Sequence, residues 1–337
     1  CAYDDGTTID APNGRSTTSN PSDVDVVAHV VVPTYALEHK LFAKDALLRW
    51  KTAQLWTSPG QFSFPIEASD AAVWGRAPAG VLYGSDVNDG QQSAVRPPWT
   101  NEIQYETLFE GSFPVLGRKA PLQFYETAFF HASSKTLLVT DAVCRISATL
   151  PASTASVGTP ENLLLISKQS TADPGPDNTV ANLQTGYEKN ALLISYFFPE
   201  HEELANAQNT DAQQNANANA NLPPGTVVWT DGWHDNFQRI SNRLIVPPVV
   251  RYLIYPQNPR SVAKWVERVS NRWEFTRIVP AHWDAPIDAT PQEFRAAFRF
   301  LGDGIGDGDG NLDSFPEKDL ERGLRPIADL VYPKSKK

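Results

Sequence analysis

Residues 26–32, Val-Val-Ala-His-Val-Val-Val, form an apolar, β-branched run interrupted by one histidine and closed by Pro33. Such a run suits a strand covered on both faces. From Glu38 to Trp50 the apolar residues fall at Leu41, Phe42, Ala46, Leu47 and Trp50, a spacing that predicts a helix. Residues 53–57, ended by Ser58-Pro59-Gly60, predict a second strand. Together these make a β-α-β unit with parallel strands and a right-handed crossover.

From Glu102 the pattern changes. Residues 103–109, 123–130 and 136–140 are aromatic and β-branched segments separated by turn residues. His131-Ala132-Ser133-Ser134-Lys135 reads as a hairpin connection, so the last two segments should pair antiparallel. Further on, residues 160–199 offer a helix and an aromatic stretch at 192–198. Residues 227–236 return to order after a stretch rich in Asn, Ala and Gln at 206–221. That stretch has nothing to bury and reads as a disordered surface insertion. Val262, Trp265, Val266 and Val269 lie on one face of a helix at 261–269, and 275–280 is a strand. A last helix at 291–301 is opened by Thr290, with Pro291 in its first turn and Glu293 three residues after the cap.

This divides the chain into an irregular segment at 1–25, one domain at 26–302 and a Gly/Asp-rich, basic-ended tail at 303–337. In the tail, Asp307-Gly308-Asp309-Gly310-Asn311 resembles the opening of a calcium loop. Leu312 and Lys318 stand where an EF-hand needs Gly and Glu, so a flexible acidic loop is the reading.

Composition narrows the classes. With 337 residues and 41% apolar content the chain can bury a large core. A net charge of −10 repels phosphate backbones and anionic lipid. Lys334-Ser335-Lys336-Lys337 is too short to reverse that, so neither nucleic acid nor membrane is expected as a partner. No apolar run approaches the ~20 residues of a membrane helix. Cys1 and Cys144 make no disulfide framework. The chain opens at Cys1 and holds no methionine, which predicts a removed leader or a fragment.

The candidate chemistry rests on six histidines. His29 lies inside a strand and reads as a core residue, His201 as a surface residue, and His234 sits among aromatics. His39 follows the first strand by a short turn, His282 follows the strand at 275–280, and Asp141 directly follows the one at 136–140. Open α/β folds gather their sites just beyond the carboxyl ends of strands. With Glu38 beside His39, two imidazoles and two carboxylates make a ligand set for one Zn, Fe or Mn ion. A metal-free hydrogen-bonded cluster that holds the loops is the competing reading.

Four blocks carry a resemblance. They are Pro33-Thr34-Tyr35-Ala36-Leu37-Glu38-His39; Ser58-Pro59-Gly60-Gln61-Phe62-Ser63-Phe64-Pro65; residues 129–141, Phe-Phe-His-x-x-Ser-Lys-Thr-Leu-Leu-Val-Thr-Asp; and residues 273–282, continuing through Ala285-Pro286-Ile287 to residues 294–298. In this order they resemble an uncharacterised plant, cyanobacterial and algal family, domain of unknown function 4336, a degenerate branch of the metallo-β-lactamase-like superfamily. The resemblance implies a four-layer αββα sandwich. Residues 1–25 show no alternation to supply its opening strands, so those strands can be lacking. Laid on the superfamily's His-x-His-x-Asp-His motif, residues 34–39 place Thr34 and Ala36 at the first two histidines and Glu38 at the aspartate. No histidine occurs between residues 40 and 130. The lost ligands all belong to one of the superfamily's two metal positions, while Glu38, His39, Asp141 and His282 correspond to the other.

The resemblance therefore implies a single-metal hydrolase of a small-molecule substrate, with Asp141 positioning a water nucleophile. The superfamily's substrates run from esters and thioesters to phosphodiesters. It also implies a plastid location, with a cytoplasmic one as the alternative. The competing function is a non-catalytic scaffold or accessory subunit, with a protein partner on the aromatic residues Trp56, Phe62, Phe64, Trp74 and Trp99.

Overall fold

β1 (His29–Val32), α1 (Ala43–Arg49) and β2 (Gln54–Thr57) form the expected unit. The two strands pair in parallel, with His29 opposite Gln54 and Val32 opposite Thr57. The computed structural model describes residues 27–61, 69–85, 96–113, 122–152, 160–205, 222–302 and 320–331. After α2 (Asp70–Trp74), β3 (Gly80–Val81) adds to the far side of β2. A Cβ on Gly80 would lie 2.5 Å from the Trp56 ring, so only glycine lets this strand close on β2.

Two details of this unit differ from the sequence pattern. β1 is the outer strand of the three-stranded sheet, so it is half-buried and only Val32 is fully covered. The helix also starts late. Residues 37–39 form a 3-10 turn, which shifts the helical phase. Ala43 and Leu47 face the core with Leu55 and Trp74, while Leu41 and Phe42 stay 58% and 73% exposed.

β4 (Ile103–Phe113) and β5 (Leu122–His131) form a long antiparallel pair with a bulge between Phe109 and Gly111. The hairpin to β6 (Thr136–Leu138) forms as expected, with Phe130 opposite Leu137. Then come β7 (Cys144–Arg145), α3 (Pro160–Ser167), α4 (Val180–Tyr196), β8 (Glu202–Leu204), β9 (Val227–Trp229), α5 (Trp233–Ile240) and β10 (Leu244–Ile245). α6 (Pro259–Arg272), β11 (Arg277–Val279), β12 (Ile287–Asp288), α7 (Pro291–Ala297) and α8 (Arg325–Val331) complete the described chain. β11 runs parallel to β6, giving a five-stranded mixed sheet in the order β12-β11-β6-β5-β4. The fold is thus mixed α/β, with helices and several sheets.

Alternation along β4 and β5 divides the second sheet's two faces. Leu108, Ala128, Phe130, Leu137 and Ile278 pack with Val262, Trp265, Val266 and Val269 of α6 and Phe294 of α7. The Trp265 indole donates to the Glu106 carbonyl at 3.2 Å, satisfying its one polar group. α7 opens with the capping box expected from Thr290 and Glu293. On the opposite face Tyr105 and Phe129 each lie 5.9 Å from Trp99, which meets Trp56 of β2 at 6.2 Å. Trp56 and Trp74 are core residues, 1% and 4% exposed, so they offer no partner surface; Phe62 and Phe64 lie outside the described residues.

A third apolar cluster joins Cys144, Tyr187, Leu192, Phe237 and Ile245 with Leu320 and Leu324. The stretch read as tail thus contributes a packed element at residues 320–331. The insertion at 206–221, the segment at 1–25 and the Asp/Gly run at 307–311 lie outside the described residues. Among the described residues no helix is long and apolar enough to cross a membrane.

Candidate metal centre

The site arises because β6 is shorter than its neighbour. β6 pairs only with residues 129–131 at one end of β5 and leaves the edge at Glu126 and Thr127 open. The chain leaving β1 takes that edge. The Thr127 N–H donates to the Pro33 carbonyl at 2.8 Å, and Thr34 pairs with Glu126. Beyond it, the 3-10 turn at Leu37–His39 presents Glu38 and His39.

The chain leaving β6 turns into the same space. The Glu126 carboxylate, 1% exposed, receives it with one oxygen. That Oε1 accepts the N–H groups of Thr140, Asp141 and Ala142 at 2.8, 3.2 and 3.2 Å. From β11, the Ala281 N–H donates to the Thr140 carbonyl at 3.3 Å and carries His282 alongside. Asp284 then ties this loop down, its N–H on the Arg145 carbonyl at 3.0 Å and its carboxylate 3.3 Å from the Arg145 guanidinium.

Three strand exits thus meet. One ligand-type atom from each of Glu38, His39, Asp141 and His282 lies within 4.8 Å of every other. His39 Nε2 is 3.0 Å from Asp141 Oδ2, His282 Nε2 is 3.2 Å from Asp141 Oδ1, and the two Nε2 atoms are 3.3 Å apart. Glu38 and His282 are exposed and the other two half-buried, so the cluster opens to solvent.

The electrostatics follow from these contacts. Burial pushes the Asp141 carboxyl up, but hydrogen bonds and charge from His282 and His39 outweigh it and hold the group at about 2. Burial lowers the His39 pKa, and the hydrogen bond and charge of Asp141 more than reverse this, leaving it raised. Burial first, then the Asp141 charge, lifts Glu126 to about 7 against the N–H groups that stabilise its ionised form. Tyr35 is raised by burial and by the surrounding carboxylates Glu110, Asp141, Glu38 and Glu126.

The donor set fits a single divalent ion. Tetrahedral ligands at about 2.0–2.1 Å stand roughly 3.3–3.4 Å from one another; the two Nε2 atoms are 3.3 Å apart, each lies 3.0–3.2 Å from its own oxygen of the Asp141 carboxylate, and one donor atom from each of the four residues falls within 4.8 Å of the rest. Nitrogen and carboxylate oxygen suit Zn, Fe(II) and Mn alike.

The other histidines stand apart from the cluster. His29 Nδ1 accepts from the Trp56 indole at 3.3 Å, His131 meets Ser134 in the hairpin at 2.7 Å, His201 meets Thr230 at 3.1 Å and His234 meets Glu188 at 2.8 Å. Sequence reasoning missed Glu126. Its signal was a carboxylate in an inward-facing row, alternating with Phe124, Ala128 and Phe130 and paired opposite Leu108.

No curated protein and no solved structure matches the chain. A family profile does match, over residues 18–300 of the 337. The chain belongs to the family described as a domain of unknown function (DUF4336).

Proposed function

We propose that Glu38, His39, Asp141 and His282 hold one divalent transition-metal ion, and that the protein is a single-metal hydrolase of small molecules on a metallo-β-lactamase-like fold. The observation that carries this reading is the triangle of contacts among His39, Asp141 and His282. An ionised carboxylate only accepts hydrogen bonds, so each imidazole must present Nε2–H to Asp141. The two N–H groups then face each other at 3.3 Å. Remove either proton and a lone pair faces the carboxylate instead. With Asp141 ionised, as its pKa of about 2 keeps it near neutral pH, at most two of the three contacts are favourable at once, so the cluster does not fully satisfy itself as a hydrogen-bonded network. Three lone pairs converging on a cation remove the conflict.

Thr34 and Ala36 support a single ion. Thr34 is 2% exposed, pairs with β5 through its backbone and accepts the Ala36 N–H on its hydroxyl at 3.4 Å. Neither residue offers a ligand. The packing of α1 and α2 on the three-stranded sheet, and of α6 and α7 on the five-stranded sheet, supports an αββα reading.

A bound divalent ion supplies Lewis-acid chemistry, lowering the pKa of water towards about 7 and polarising a carbonyl or phosphoryl oxygen. The chain's part is positional. Asp141, ionised throughout the physiological range, orients water by accepting its hydrogen bonds. The exposed Glu38 and His282 leave one side open to a small substrate.

The test is turnover of chromogenic ester, thioester and phosphodiester substrates by protein supplied with Zn, Mn or Fe(II). Turnover of one class, lost in His282→Ala and in chelator, is expected. Metal-loaded protein inert towards all three would favour the non-catalytic scaffold.

A further inference from the structure

We infer that Glu126 is a positioning residue of this centre, which sets the Asp141 carboxylate against His39 and His282 by gripping the backbone beneath it. The inference rests on the metal reading above and names the residue that organises the site.

Glu126 reaches two of the three loops that carry candidate ligands. Its backbone pairs with Thr34, fixing the chain that leads to Glu38 and His39. Its Oε1 collects the N–H groups of Thr140, Asp141 and Ala142. Three successive N–H groups point at one atom only when the backbone curls around it, forming a concavity for an anion. Asp141 is the middle residue of that curl, so the direction of its side chain depends on the oxygen below.

The residue is costly where it stands. It lies in the β5 row between Phe124 and Ala128, opposite the fully buried Leu108 and near a second buried carboxyl, Glu110, so both burial and a like neighbour make its charge costly there. Its second oxygen is buried too, and besides the backbone groups only the Thr140 hydroxyl, among the described residues, contributes a hydrogen bond to the ionised carboxyl. A fully buried carboxylate that turns one oxygen onto three successive backbone groups is poorly explained by stability alone. Backbone control of Asp141 explains it.

The test compares wild type with Glu126→Leu, which removes the acceptor, and Glu126→Gln, which keeps an acceptor oxygen and removes the charge. Hydrogen exchange in metal-free protein follows the amides of residues 140–142 against those of β4 and β5. Co(II) titration follows affinity and the visible spectrum. Glu126→Leu should lose protection at 140–142 while β4 and β5 stay protected. It should also bind Co(II) about 10–100-fold more weakly, as is typical when an outer partner of a ligand is removed. Glu126→Gln should recover both properties. Unchanged exchange at 140–142 in Glu126→Leu overturns the inference, as does a Gln variant no better than the Leu variant. If Glu126→Leu does not fold, Glu126→Asp withdraws the oxygen by one methylene and takes its place. Wild-type protein that takes up no Co(II) refutes the metal reading, and the exchange comparison still decides the role of Glu126.

Discussion

Replacing Asp141 by asparagine in the metal-free protein tests the charge balance of the cluster. The substitution keeps size and shape and removes the charge that both imidazoles approach, at 3.0 and 3.2 Å. The Asp141 side chain is 23% exposed and its carboxyl is held at about 2. The unperturbed value is about 3.9, and each unit corresponds to about 1.4 kcal/mol, so the ionised form contributes on the order of 2–3 kcal/mol to the folded state. A depressed carboxyl pKa stabilises above the unfolded value and loses that effect as pH falls through the folded one, here between about pH 4 and pH 2. The raised pKa of His39 acts in the opposite sense. Its contribution is complete below the unfolded value of about 6.5 and fades as pH rises through the folded value. The stability difference between wild type and Asp141→Asn should therefore peak in the window from about pH 4 to 6, near 2 kcal/mol, and shrink on both sides. Urea denaturation in chelator across pH 3.5 to 9 measures it. Equal stability at pH 5.5, or a difference that grows above pH 8, would refute the reasoning.

Other outcomes follow from the same structure. Metal uptake must displace the proton that Asp141 holds on His39, so Co(II) affinity should fall about tenfold per pH unit below the raised His39 pKa; affinity independent of pH would contradict this. Gly186→Ala in α4 should destabilise by about 1–3 kcal/mol, reversing the usual helix preference for alanine, because its Cβ would lie 2.0 Å from the Leu163 carbonyl of α3. A melting temperature equal to or above wild type would show that the two helices can separate. Thr290→Ala breaks the capping box of α7 and should cost about 1 kcal/mol by chemical denaturation, with no effect on the remote metal centre.

Strand exits were the legible part of the site. Asp141 and His282 each end a segment whose β-branched and turn residues mark its limits, and His39 follows one. The principle that sites gather at carboxyl ends therefore grouped them before any coordinates. The α6 face of Val262, Trp265, Val266 and Val269 was equally plain, because helical spacing maps directly onto burial, and all four are 0% exposed. The phase of α1 was not legible. Leu41 and Phe42 fit the helical period, but the 3-10 turn at Leu37–His39 that presents Glu38 and His39 offsets it. Glu126 was hidden for a different reason. Alternation puts it in the inward row with Phe124, Ala128 and Phe130, but nothing local says what a carboxylate does there, and only the early end of β6 shows that it has a backbone curl to hold.

The central claim is that these four residues bind one metal ion, and elemental analysis of the purified protein tests it most directly. Protein incubated with Zn, Mn or Fe(II) and freed of excess should retain about one equivalent of an ion, and His282→Ala should retain none. Wild-type protein that stays metal-free with every ion, or a His282→Ala variant that retains the same equivalent, would contradict the account.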